Sequence, residues 1–159
     1  MVKTISILGS TGSIGVNTLE VISNLKKSFK VKYLSTNKNV SLLISQIKEH
    51  KPKSVAVVDE LAAEKIKSAL DEMGIELLIG KVGLLDLSQR HDIDLVLNGL
   101  VGASGMQPTI NAIKAGVNVA LANKESLVMA GNIINKELEN SDAKLFPVDS
   151  EHSAIWQCM

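Results

Sequence analysis

The sequence predicts an α/β fold: a doubly wound, mostly parallel sheet of Rossmann type with helices on both faces. Three observations carry that reading. Apolar runs of strand length alternate with amphipathic stretches of helix length along all 159 residues, with no linker or repeat between them. Such alternation implies right-handed βαβ crossovers and a sheet buried on both faces. A glycine-spaced turn, Gly9-Ser10-Thr11-Gly12-Ser13-Ile14-Gly15, directly follows the first apolar run. Finally, each polar motif of chemical interest falls just after a predicted strand, where open α/β sheets bind ligands.

Residues 5–8 read as a buried first strand, and residues 13–26 as a helix turning Ile14, Leu19, Val21, Ile22 and Leu25 inward. A second strand is expected over 31–34 and a helix over 41–50; a third strand over 54–58 and a helix over 61–73. A short strand at 75–79 and a short helix at 82–89 come next, then a strand at 95–98. Pro108 belongs to the first turn of the following helix, where its missing N–H costs nothing. Strands at 117–121 and 143–148 flank a last helix over 126–139.

The length fits one domain with a proper core, and 45% hydrophobic with 21% charged residues is ordinary for a globular protein. Lysine plus arginine and aspartate plus glutamate both total 17, so no net field draws the chain to nucleic acid or an anionic membrane. The lone Cys158 fits a reducing compartment, and the N-terminal apolar run is too short for a signal peptide. A cytoplasmic location is therefore expected. The last residues, 154–159, read as an apolar half-helix carrying the single tryptophan, which suggests a further domain beyond them. The expected division is a nucleotide-binding domain over 1–148 and the start of a metal- and substrate-binding region over 149–159.

In the glycine turn, Gly9 permits the tight bend, Gly12 lets backbone approach a pyrophosphate, and Gly15 allows close helix–strand packing. Thr11 and Ser13 add hydroxyl donors, and a helix N-terminus favours phosphate. After the second strand an NAD enzyme usually carries an acid for the ribose 2′-hydroxyl. Here Ser35-Thr36-Asn37-Lys38-Asn39 has none, and a cation among amides and hydroxyls suits a 2′-phosphate. NADP(H) is the cofactor this favours, although a solvated loop lysine would look the same.

Three later segments complete the candidate site. Gly99 to Gly105 is a small-residue loop that would let a flat ring approach backbone, or is simply a tight loop. In Leu121-Ala122-Asn123-Lys124-Glu125-Ser126, Ser126 reads as a helix cap with Glu125 beside it, which leaves Lys124 as a cation aimed at the cleft. In Pro147-Val148-Asp149-Ser150-Glu151-His152, two carboxylates two residues apart on extended backbone point the same way. Like charges held that close want a cation between them, and hard oxygen ligands suit Mg²⁺ or Mn²⁺. His152 would face the other way, and His50 and His91 read as solvated. Met73, Met106 and Met129 read as core or cleft filling.

Four segments, Gly9 to Gly15, Lys38-Asn39, Leu121 to Ser126 and Pro147 to Ser153, resemble in order the 1-deoxy-D-xylulose 5-phosphate reductoisomerases of the non-mevalonate isoprenoid pathway, and the likeness covers the whole chain. The resemblance implies an enzyme that uses NADPH and a divalent metal to make 2-C-methyl-D-erythritol 4-phosphate from its sugar-phosphate substrate. It implies that Thr11, Gly12, Ser13 and Ile14 bind NADPH, with Asn37, Lys38 and Asn39 near the 2′-phosphate. Asn123 and Glu125 would also contact the cofactor. Lys124 would act in catalysis and bind substrate with Ser150 and Glu151, while Asp149 and Glu151 would ligate Mg²⁺ or Mn²⁺. Asn37 departs from the glycine of many members. Full-length members continue well past residue 159, supplying a further carboxylate ligand, a phosphate site and a lid, and a homodimer is expected of them. Two other readings stay open: an NADPH-binding module without turnover, and another NADP oxidoreductase such as a semialdehyde dehydrogenase. The latter needs a cleft cysteine, and Cys158 lies outside any such context.

Overall fold

In a computed structural model of the chain, residues 2–25, 27–148 and 158 are described. Strand β1 (Lys3–Leu8) leads through the glycine turn into α1 (Ser13–Asn24), then β2 (Phe29–Thr36) and α2 (Val40–His50). Next come β3 (Ser54–Val57), α3 (Glu60–Glu72), β4 (Glu76–Ile79), α4 (Gly80–Ser88) and β5 (Leu95–Asn98). A 3₁₀ turn (Gly102–Gly105) opens α5 (Met106–Lys114), followed by β6 (Asn118–Leu121), α6 (Lys124–Glu139) and β7 (Leu145–Pro147). The strands form one sheet in the order β4-β3-β2-β1-β5-β6-β7, and each neighbouring pair is parallel. The doubly wound reading holds.

Because side chains alternate along a strand, the sheet feeds two cores. Ile5 and Ile7 of β1 pack with Leu19, Ile22, Leu43, Ile47, Ile66 and Leu70, so α1, α2 and α3 cover one face. Leu8, Tyr33 and Val96 pack with Leu84, Leu87, Ile110, Ile113 and Ile134, so α4, α5 and α6 cover the other. The chain reverses its direction of travel between β1 and β5, and that switch point opens a crevice at the carboxyl ends of the strands.

Four local expectations need correcting. In α1 the buried stripe is Gly15, Leu19 and Ile22, whereas Ile14, Val21 and Leu25 are 39%, 55% and 44% exposed. At 3.6 residues per turn these three share a flank roughly 100° from the stripe, too far round to reach the sheet. Helix α6 starts at Lys124 rather than Ser126, because Asn123 is the capping residue. His50 is not solvated: its side chain is 8% exposed, beside Glu49. Met73 and Met129 are exposed, and of the three methionines only Met106 packs against a core.

Candidate functional site

Two of the three glycines in the first turn are demanded by the protein itself. Gly9 has φ of 79°, and a Cβ there would press on the Gly99 carbonyl. A Cβ on Gly15 would lie 2.4 Å from both the Gly9 oxygen and the Ser10 Cα. Gly12 is different. Its φ of −81° suits any residue, and an added Cβ would meet only the Gly9 oxygen at an ordinary 3.4 Å. Nothing among the described residues requires a bare backbone there. Gly12 also caps α1 without a side chain, so the first N–H groups of that helix are left for solvent or an anion.

A buried polar network fixes this turn against the neighbouring strand and helix. The Ser10 N–H donates to the Ser35 carbonyl at 2.8 Å, and the Gly9 N–H to the Ser35 hydroxyl at 2.9 Å. Gln46 of α2 closes the ring: its amide oxygen accepts from the Ser10 hydroxyl and its amide nitrogen donates to the Ser10 carbonyl, each at 2.8 Å. The Thr11 and Thr36 hydroxyls lie 2.6 Å apart. Ser13 and Ile14 are exposed at the start of α1.

After β2, Asn37, Lys38 and Asn39 are all exposed. Asn39 caps α2 by accepting the Leu42 N–H. Asn37 needs no special backbone, since Lys51 is the one non-glycine residue with positive φ among the described residues. The departure from glycine at position 37 therefore strains no backbone. An acid does stand at this corner, but it comes from the far end of β3: Asp59 Oδ2 lies 3.5 Å from Lys38 Nζ.

The loop after β5 is clasped by two buried asparagines. Asn98 donates to the Gly105 carbonyl and the Thr109 hydroxyl, both at 2.8 Å, and accepts the Leu100 N–H. Asn123 donates to the carbonyls of Leu100 and Gly102 and accepts from both the N–H and the hydroxyl of Ser126. Its amide is fully used inside the protein, so its side chain positions the loop and caps α6. Only the backbone of Asn123 is left for a ligand. Lys124 and Glu125 follow as exposed first residues of α6. Lys124 has no ion-pair partner among the described residues.

The crevice thus gathers an uncapped helix start, a corner holding the Lys38–Asp59 pair and a small-residue loop at the carboxyl end of the sheet. That arrangement suits a long, flat ligand carrying phosphates. Asp149, Ser150, Glu151 and His152 lie outside the described residues. Among those described, no group of three or more His, Cys, Asp or Glu could hold a metal ion, and no helix is long and apolar enough to cross a membrane. Sequence reasoning missed Gln46, Asn98, Thr109 and Asp59. Only Asn98, a polar residue ending an apolar strand, carried a signal that could have found it.

Comparison with known proteins gives a consistent answer. Residues 5–131 match the family model described as 1-deoxy-D-xylulose 5-phosphate reductoisomerase. The chain is 48% identical to the reductoisomerase of Chloroherpeton thalassium, over 99% of this chain and 41% of that protein. It is 50% identical to that of Caldanaerobacter subterraneus, again over 99% and 41%. The Zymomonas mobilis reductoisomerase, solved with NADPH, superposes with a TM-score of 0.94 at 35% identity, covering 100% of this chain and 42% of that one. Another reductoisomerase, solved with NADPH, fosmidomycin and magnesium, gives 0.92 at 34% identity, covering 99% and 39%. A protein from Archaeoglobus fulgidus, at 16% identity and a TM-score of 0.57, shares the fold alone.

Proposed function

We infer function from membership: the chain belongs to the 1-deoxy-D-xylulose 5-phosphate reductoisomerase family, and it spans about two-fifths of the length of the relatives it matches. These relatives are NADP-dependent oxidoreductases. We propose that residues 1–148 are the NADPH-binding unit of such an enzyme, with 149–159 opening its metal- and substrate-binding region. The whole protein would convert 1-deoxy-D-xylulose 5-phosphate to 2-C-methyl-D-erythritol 4-phosphate, as a homodimer in the cytoplasm. Gly12 carries the reading: no contact among the described residues requires its bareness, and a close-lying pyrophosphate would.

On this reading the pyrophosphate lies over Gly12, at the N–H groups of Ser13 and Ile14, with Thr11 beside it. The 2′-phosphate lies at Asn37, Lys38 and Asn39, and the nicotinamide end runs toward the 99–105 loop that Asn98 and Asn123 hold. Glu125 and the Asn123 backbone complete the cofactor wall. Lys124, exposed at the end of β6, faces the substrate and offsets charge developing on its oxygens. Asp149 and Glu151 are the proposed ligands for Mg²⁺ or Mn²⁺, with Ser150 on the substrate. A metal bound there would supply Lewis-acid polarisation of the substrate carbonyl.

Cofactor discrimination tests the reading. NADPH should quench intrinsic fluorescence saturably and bind more tightly than NADH, and Lys38→Glu should narrow or reverse that preference. Equal affinities for the two cofactors on the wild-type chain would overturn it.

A further inference from the structure

The corner where this reading puts an anionic phosphate also holds a carboxylate. Asp59 follows β3 and caps α3, its Oδ1 accepting the Ala62 N–H at 2.9 Å. Its own N–H donates to the Asn37 carbonyl at 3.1 Å, and the Val58 N–H donates to the Thr36 carbonyl at 3.0 Å. The 36–38 loop is thereby laid against the end of β3. Lys38 reaches back to Asp59 Oδ2 at 3.5 Å, its side chain 73% exposed against 26% for Asp59.

The two partners are unequally held. Asp59 is anchored by its cap and its backbone bond, whereas Lys38 is a long side chain mostly in solvent, held at its tip by Asp59. The Ala62 N–H, with Lys38 beside it, holds the Asp59 carboxyl below the usual carboxylate range, so the negative charge is present at neutral pH. A phosphate arriving at Lys38 must share the cation with that fixed carboxylate, and like charges at one site repel.

We propose that Asp59 is a specificity-determining residue of the cofactor corner: it holds Lys38 in the free protein and opposes the 2′-phosphate in the bound one. It therefore limits the preference for NADPH over NADH. This rests on the placement of the 2′-phosphate at Asn37 to Asn39. Lys38 is largely exposed, so the effect is modest, on the order of two- to five-fold in affinity.

Asp59→Asn is the informative variant, because an asparagine oxygen can still accept the Ala62 N–H and keep the helix cap. Titrations of the 159-residue chain with NADPH and NADH, on wild type, Asp59→Asn and Lys38→Gln, separate the outcomes. The expected result is about two- to five-fold tighter NADPH binding by Asp59→Asn with NADH unchanged, and a narrowed ratio for Lys38→Gln. If Lys38→Gln narrows the ratio but Asp59→Asn leaves it unchanged or also narrows it, the role given to Asp59 is wrong while the cofactor corner stands. If Lys38→Gln leaves the ratio untouched, or NADPH does not bind, the phosphate is not at this corner and both ideas fall.

Discussion

At the amino end of β3 and β4, Arg90 donates to both carboxylate oxygens of Glu76, at 2.7 and 3.0 Å, and to the Ser54 hydroxyl at 3.1 Å. Its guanidinium sits 5.2 Å from the ring centre of Tyr33. Tyr33 donates in turn to Asp92 at 2.7 Å, and Asp92 is paired with Lys32 at the same distance. At the carboxyl end of the same sheet, α1 begins without a side-chain cap, and Lys124 has no ion-pair partner among the described residues. Both ends are rich in polar groups, but at the amino end they satisfy one another. At the carboxyl end the buried ones, Ser10, Ser35, Gln46, Asn98 and Asn123, hold loops so that backbone N–H groups and cations are left facing out. One end spends its polarity on stability and the other on a preorganised surface.

The sharpest way to break this contrast lies within the glycine turn itself. Gly15→Ala puts a methyl 2.4 Å from backbone atoms that cannot yield, and should cost about 3 kcal/mol of stability or more in a denaturant melt. A variant with an unchanged midpoint would show that the turn is far softer than its contacts imply.

Arg90→Met should come next, at about 1–2 kcal/mol, less than a fully buried pair because the Glu76 side chain is 47% exposed. The hydrogen bonds from Arg90 and Ser54 lower the Glu76 pKa from 4.5 to about 2. A depressed folded-state pKa means stability that is present above the unfolded value and lost as pH falls through the folded one. Wild type should therefore lose about 1 kcal/mol between roughly pH 5 and pH 2 from this group, after allowance for solvent screening. Arg90→Met should lose much less over that window. Parallel acid melts for the two proteins would contradict the assignment.

A smaller effect of opposite sign is expected in the second core. Ser6 is fully buried in β1, and its hydroxyl has no hydrogen-bond partner among the described residues. Ser6→Ala removes an unmet polar group and should raise stability by about 0.5–1 kcal/mol. A destabilised variant would mean that the hydroxyl has a partner after all.

What could be read from the sequence followed the range of the interaction. Strand and helix alternation is local, so the sheet and its helices were legible, as was the turn whose glycines stand three apart. The order β4-β3-β2-β1-β5-β6-β7 was not, because it is set by which strands pair. Gln46 serves a serine 36 positions earlier, and Asp59 meets Lys38 only because β2 and β3 are neighbours. Asn123 looked like a ligand contact because its motif does. Its amide proved to be consumed by Leu100, Gly102 and Ser126, and no local pattern reports that. The outward flank of α1 is not legible either, because apolar periodicity does not report the width of the buried stripe.

Gly12 gives the most direct test of the central claim, that the carboxyl end of the sheet is shaped for a ligand rather than for the fold. Its backbone suits any residue and its side-chain position is open, so Gly12→Val should melt within about 1 kcal/mol of wild type. NADPH titration of the same variant should show binding weakened by at least about a hundredfold, as expected if a branched side chain occupies the ground of the pyrophosphate. Unaltered NADPH affinity in a folded Gly12→Val chain would contradict the account.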